Sequence, residues 1–261
     1  MSLPPDQTLL ELQDVSLAFG GLQAVERVSF AVPAGAVKAV IGPNGAGKTT
    51  LFHLMSGFLA PQQGRIIFQG DEIQGLPAHV IARRGVARTF QLVQLFDHMT
   101  VLENVMVGRH RLSRAGLLAG ALQLPRTRAE ERAIRAAALE ALEFVGLASR
   151  AEQIAAVLPL GLKRLLEIAR ALAAEPRLLL LDEPASGLDA VETEKLQEMI
   201  LALKARGLTT LLVEHDMGLT MEVADEIAVL NYGRLIADGP PQAIQKNPEV
   251  IAAYLGTDWQ A

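Results

Sequence analysis

The chain has 261 residues, half of them hydrophobic, with aromatics at 4% and a formal net charge of −5. That apolar content excludes a disordered chain and calls for a core built mainly from Ala, Leu, Val and Ile. The acidic balance argues against a general polyanion binder, and the lack of cysteine excludes disulfides, thiolate metal sites and cysteine nucleophiles, as suits a reducing compartment.

The opening Met1-Ser2-Leu3-Pro4-Pro5-Asp6 lacks the basic start and apolar stretch of a secretory signal. No segment offers the ~20 mainly apolar residues of a membrane-spanning helix. A chain soluble by itself is expected, with any membrane role exerted through a partner. Leu9–Phe19 and Leu22–Val32 read as two strands around a Gly20-Gly21 turn. Ala36–Ile41 is a short apolar run, as in a strand buried on both faces. A glycine-rich loop and a helix over Lys48–Ser56 follow, closed by Gly57, and then a short strand over Gly64–Phe68.

From about Gly85 to Leu160 the pattern predicts an inserted helical lobe. Thr100 to Glu103 has the form of a capping box, and so does Thr127 to Glu130, which is expected to open a long helix ending at Gly146. The α/β rhythm then resumes. Lys163–Ala174 is a predicted helix, Leu178–Leu181 a buried strand, Ala190–Ala205 a helix stopped by Gly207, and Thr209–Val213 a strand. Ile227–Leu230 and Arg234–Ala237 are short strands around Tyr232-Gly233, and Asn247-Pro248 starts a last helix.

Gly42-Pro43-Asn44-Gly45-Ala46-Gly47-Lys48-Thr49, followed by Thr50, fits the phosphate-loop pattern G-x-x-x-x-G-K-[ST] between a buried strand and a helix. The glycines allow a backbone turn that a β-carbon would disfavour, and the loop amides meet the positive end of the helix. Lys48 then reaches the β- and γ-phosphates, and Thr49 places its hydroxyl on Mg²⁺. Leu178-Leu179-Leu180-Leu181-Asp182-Glu183 is an apolar strand ending in two carboxylates, expected to lie beside the phosphate loop. Asp182 is a candidate Mg²⁺ holder through water, and Glu183 a candidate to orient or deprotonate the attacking water.

Together these elements resemble the ATP-binding-cassette (ABC) ATPases over essentially the whole chain. The resemblance implies an α/β phosphate-loop NTPase fold: a RecA-like core, an N-terminal antiparallel β-subdomain and an inserted helical subdomain. The chain then reads as one nucleotide-binding domain. Residues 1–90 and 161–240 form the core and β-subdomain, 91–160 with the signature helix the helical lobe, and 241–261 a helical tail. Pro184 to Asp189 looks like the family's D-loop, which makes Asp189 a candidate nucleotide-site residue. His215 matches the switch histidine, and Gln91 the Q-loop glutamine that senses Mg²⁺ and the γ-phosphate. Phe19 matches the aromatic that stacks on adenine. The signature departs from the family's Leu-Ser-Gly-Gly-Gln, reading Leu158-Pro159-Leu160-Gly161-Leu162. Pro159 has neither N–H nor hydroxyl, so Gly161 and the helix N-terminus remain as phosphate donors.

Phe19-Gly20-Gly21-Leu22, Arg88-Thr89-Phe90-Gln91, the proline-bearing signature and the Asn247–Gly256 ending are similar to the larger ATPase of branched-chain amino-acid importers and their urea and amide relatives. The family resemblance implies ATP and Mg²⁺ as ligands and a second cassette, identical or not, closing head to tail over the γ-phosphate. It also implies transmembrane permeases, indirectly a solute-binding protein, no nucleic acid, and a peripheral place on the cytoplasmic face of a bacterial inner membrane. Lipid or lipopolysaccharide export and a nucleic-acid-linked cassette are the alternatives. Long coiled coils or zinc modules of the latter kind are missing between Thr49 and Asp182. The basic stretch Gly108–Arg128 reads as a solvated loop in preference to a lipid or partner contact.

Overall fold

The structure, a computed structural model, describes residues 7–109 and 125–255. The chain folds into two compact units, the first built from residues up to Arg88 and from Arg177 onward, the second from Thr89–Pro176. In chain order the first unit begins with β1 (Thr8–Phe19), β2 (Leu22–Pro33), β3 (Val37–Ile41), α1 (Lys48–Met55), β4 (Gln63–Phe68), β5 (Asp71–Glu72), α2 (Ala78–Arg84) and β6 (Val86–Arg88). The second unit holds α3 (Val101–Arg109), α4 (Pro125–Phe144) and α5 (Leu160–Leu172). The chain returns to the first unit with β7 (Leu178–Asp182), α6 (Ala190–Ala205), β8 (Thr209–Val213), α7 (Met217–Val223), β9 (Glu226–Asn231), β10 (Arg234–Gly239), α8 (Pro241–Ile244) and α9 (Pro248–Leu255).

Among the described residues the first unit contains two sheets. One is antiparallel in the order β2-β1-β4-β5. The other runs β10-β9-β3-β8-β7-β6, parallel except for the antiparallel edge strand β10. Every residue of β3, β7 and β8 is buried, which explains their near-continuous apolar runs: a parallel sheet is covered on both faces. Side chains of both sheets and Leu51, Phe52, Leu54 and Met55 of α1 share one core. Lys38 is the charged exception in β3. Its buried amine pairs with Glu226 at 2.9 Å and Asp238 at 2.7 Å, and lies over the Phe30 ring, so the charge is compensated where it is desolvated.

The strand order corrects one expectation. The carboxylate-bearing β7 is not next to β3, because β8 lies between them. Val213 pairs with Val40 on one side and Asp182 on the other. The carboxyl end of β8 is therefore central, with the phosphate loop to one side and Asp182 to the other. The three-residue β6 and the short β5, α2, α7 and α8 went unrecognised in the sequence.

In the second unit, the Thr100 box opens α3 as expected: Thr100 Oγ1 accepts from the Glu103 amide, and Glu103 Oε2 accepts from the Thr100 amide at 2.8 Å. The Thr127 box does not open α4. That helix already includes Pro125 and Arg126, ahead of the box. The signature helix α5 starts at Leu160, three residues before the expected Lys163, on Pro159 as cap. Of the basic stretch, Arg109 pairs with Glu175 at 2.6 Å and Gly108 packs on the Arg170 backbone. Residues 110–124 lie outside the described residues, as do the side chains of Arg126 and Arg128, so the solvated-loop reading of that stretch does too.

Candidate functional site

The carboxyl ends of β3, β8, β7 and β6 lie side by side and carry, in that order, the glycine loop, Glu214-His215, Asp182-Glu183 and Arg88. Ligands of open α/β sheets bind at this edge. The loop from Gly42 to Gly47 joins β3 to α1 and is wedged between neighbouring backbones. A β-carbon at Gly42 would collide with the Leu230 carbonyl oxygen, and one at Gly47 with that of Ala24. Gly47 also holds φ +100 as the residue preceding α1, a conformation that favours glycine. The glycines are thus required by close approach to β2 and β9 as well as by any ligand.

Pro43 is half-buried, Asn44 and Gly45 are exposed, and Ala46 is buried under the loop. Lys48 is buried at the start of α1 and curls back, donating from Nζ to the carbonyl oxygens of Gly42 at 2.7 Å and Pro43 at 3.0 Å. Burial lowers its pKa, and attraction to Glu183 opposes that shift. Thr49 is exposed on the first turn and Thr50 half-buried behind it. Phe19 is 49% exposed at the tip of the β1–β2 hairpin, the hairpin whose Ala24 carbonyl abuts Gly47.

At the end of β7, Asp182 is buried and bonded by Arg88, whose Nη2 donates to Oδ2 at 2.7 Å. Glu183 leaves the strand in the left-handed region at φ +47. Such backbone strain in a residue other than glycine clusters at functional sites. Its amide donates to the Val213 carbonyl oxygen at 2.9 Å, fixing it beside the end of β8. His215 Nε2 lies 2.7 Å from Glu183 Oε1. With the carboxylate accepting, the proton sits on Nε2.

Glu214 was overlooked as a functional residue by the sequence reading, although, like Asp182, it is a carboxylate following a buried run. It is buried, accepting at Oε1 from the Ala185 amide at 2.7 Å and at Oε2 from the His215 and Asp216 amides at 2.9 and 3.3 Å. It thus ties the segment after Glu183 to the segment carrying His215. Burial raises its pKa, the three amides pull it back down, and Asp216 pushes it up. Arg88 was quoted only as part of a motif. Asp189 serves as the N-cap of α6, its Oδ1 accepting from the Glu192 amide at 2.8 Å.

Gln91 and the signature belong to the second unit. Gln91 is exposed on a loop that α5 grips: Glu167 Oε1 accepts from the Phe90 and Gln94 amides at 3.3 and 3.4 Å, and Arg164 donates to the Phe90 carbonyl oxygen at 3.0 Å. Burial raises the Glu167 pKa, opposed by those amides and by Arg170 and Arg164. Gly161 is buried in the first turn of α5, whose leading amides have no intrahelical acceptors.

The family model described as "ABC transporter" matches residues 25–186. The chain belongs to the ATP-binding-cassette transporter family. It is an ABC ATPase: a nucleotide-binding, ATP-hydrolysing cassette. A second family model, for branched-chain amino acid ATP-binding cassette transporters, matches residues 234–259. The cassette is 47% identical over 249 residues to the high-affinity branched-chain amino acid transport ATP-binding protein BraF of Pseudomonas aeruginosa, covering 95% of this chain and 98% of that one. It is 45% identical over 252 residues to LivG of Escherichia coli K12, the protein of the same description, covering 96% and 98%. A nucleotide-free ATP-binding cassette from an ABC transporter superposes with TM-score 0.84 at 31% identity, covering 96% of this chain and all of that one. Among the described residues no helix is long and apolar enough to cross a membrane.

Proposed function

We propose that the cassette powers uptake of branched-chain amino acids or closely related small solutes, hydrolysing ATP at the β3–β8–β7 edge. The observation that carries the hydrolytic site is the Glu183–His215 contact at 2.7 Å, made where the carboxyl ends of β7 and β8 meet, on the β8 side of the phosphate loop. In this reading Lys48 leaves the Gly42 and Pro43 carbonyl oxygens for the phosphate tail, whose other oxygens take the loop amides from Asn44 to Thr50. Phe19 stacks on the adenine. Glu183 accepts the proton of the attacking water, and His215 holds Glu183 and the γ-phosphate in register.

Mg²⁺ fits the donors present. Among the described residues no three His, Cys, Asp or Glu side chains gather to form a complete metal cage. One carboxylate, Asp182, and one hydroxyl, Thr49, suit an ion that keeps phosphate and water ligands. When bound, the ion neutralises charge on the phosphates.

A second cassette, identical or related, supplies the signature with Gly161 and the first-turn amides of α5. Asp189 lies in the D-loop that faces it. Permeases supply the path and a binding protein the solute, with the cassette on the cytoplasmic membrane face. The solute class is supported by the relatives' descriptions and by the match over residues 234–259. Vesicles containing the cassette with its permeases and binding protein are expected to accumulate leucine, isoleucine and valine only when ATP is supplied. ATP hydrolysis without uptake of any of the three would refute the branched-chain assignment.

A further inference from the structure

Arg88 is the last residue of β6, paired in register with Leu180 of β7, two residues before Asp182. Its guanidinium is locked on three sides. Nη2 donates to Asp182 Oδ2 at 2.7 Å, and Nη1 donates to Ser56 Oγ, at the end of α1, at 2.8 Å. The rings of Phe52 and Phe58 lie 5.8 and 5.6 Å from it. Arg88 and Asp182 are both nearly inaccessible, at 6% and 3% side-chain exposure. Lys48 points instead to the Gly42 and Pro43 carbonyl oxygens.

A buried carboxylate is costly unless it is paired with a counter-charge or hydrogen-bonded. Arg88 supplies the counter-charge, on the same carboxylate that the proposed mechanism gives to Mg²⁺. We propose that Arg88 is a positioning residue that acts as the built-in counter-ion of Asp182, keeping a bare divalent cation off this carboxylate until the nucleotide brings its own phosphate ligands. The inference rests on the reading of Asp182 as a magnesium-site carboxylate. A guanidinium held by Ser56 and two aromatic rings cannot swing away at little cost. A free divalent ion therefore meets a carboxylate that is already neutralised, whereas an ion carried by a triphosphate needs only a water-mediated contact. Metal and nucleotide then enter together, which keeps the site closed to cytosolic cations between turnovers.

The test is Mn²⁺ binding to the full-length, nucleotide-free chain, followed by electron paramagnetic resonance, with folding checked by circular dichroism. Arg88→Gln is expected to bind one Mn²⁺ at least tenfold more tightly than wild type, and the added change Asp182→Asn to abolish that gain. Arg88→Lys keeps the charge but replaces the two-nitrogen fork on Ser56 and Asp182 by a single amine, so an intermediate gain of about threefold is expected. That variant carries the test alone if Arg88→Gln does not fold. Wild-type Mn²⁺ affinity in the folded variants overturns the inference. The underlying reading fails differently: Asp182→Asn would then leave the Mg²⁺ dependence of ATP binding unchanged in the wild-type background.

Discussion

Replacing Glu214 by Gln separates geometry from binding at this site. The carboxylate offers two acceptor oxygens to three amides, at 2.7, 2.9 and 3.3 Å. A glutamine offers one oxygen and an NH₂ group, so in either orientation at least one backbone N–H faces another donor. Leaving one buried donor unsatisfied costs about 1–3 kcal/mol. Relief of the carboxylate's burial, which raises its pKa, offsets part of this, so a net loss near ~1–2 kcal/mol is expected in a urea melt. The catalytic effect is larger. The affected amides belong to Ala185, two residues after Glu183, and to His215 itself, and a misplacement of about 1 Å can cost on the order of 10²-fold in rate. ATP turnover by the cassette assembled with its permeases is expected to fall by about 10–100-fold. ATP affinity should stay within about twofold, because Glu214 bonds the amides of Ala185, His215 and Asp216, which lie outside the phosphate loop. Unchanged turnover in a folded variant would refute the reasoning, as would a parallel loss of affinity and turnover.

Two further outcomes follow from the same geometry. Lys48→Ala removes the cation that the loop folds around, and nucleotide affinity in a fluorescence titration should drop at least tenfold, with retained affinity counting against the phosphate-loop reading. Glu167 has a folded-state pKa raised by burial, so between its ordinary value and the raised one the folded chain holds a proton that the unfolded chain has released. Stability in that window falls as pH rises. Urea melts from pH 4.5 upward should therefore show wild type losing ground to Glu167→Gln, and parallel curves would show that Glu167 does not titrate in this way.

The sequence made the buried strands legible because β3 and β7 are apolar on both faces, and it made the glycine loop legible because its spacing is tied to close backbone approach. Asp189 also carried a readable signal, since Asp189 and Glu192 have capping-box spacing, yet the reading gave it only a ligand role. Strand order was not legible. Nothing in Leu178–Asp182 or Thr209–Val213 says that β8 separates β7 from β3, since order follows from crossovers and not from composition. The contacts of Glu214 and Arg88 were hidden for a related reason: their partners Ala185 and Asp182 lie 29 and 94 residues away in the chain. The Thr127 box misled because the pattern is local and recurs inside the helix, which already includes Pro125.

The central claim is that Glu183, held by His215 at the strand edge, is the base for ATP hydrolysis. It is tested most directly by comparing Glu183→Gln with wild type in the assembled transporter, measuring ATP binding and turnover on the same preparation. The account predicts near wild-type binding with turnover reduced by about 10²–10⁴. Equal turnover in the two proteins would contradict it.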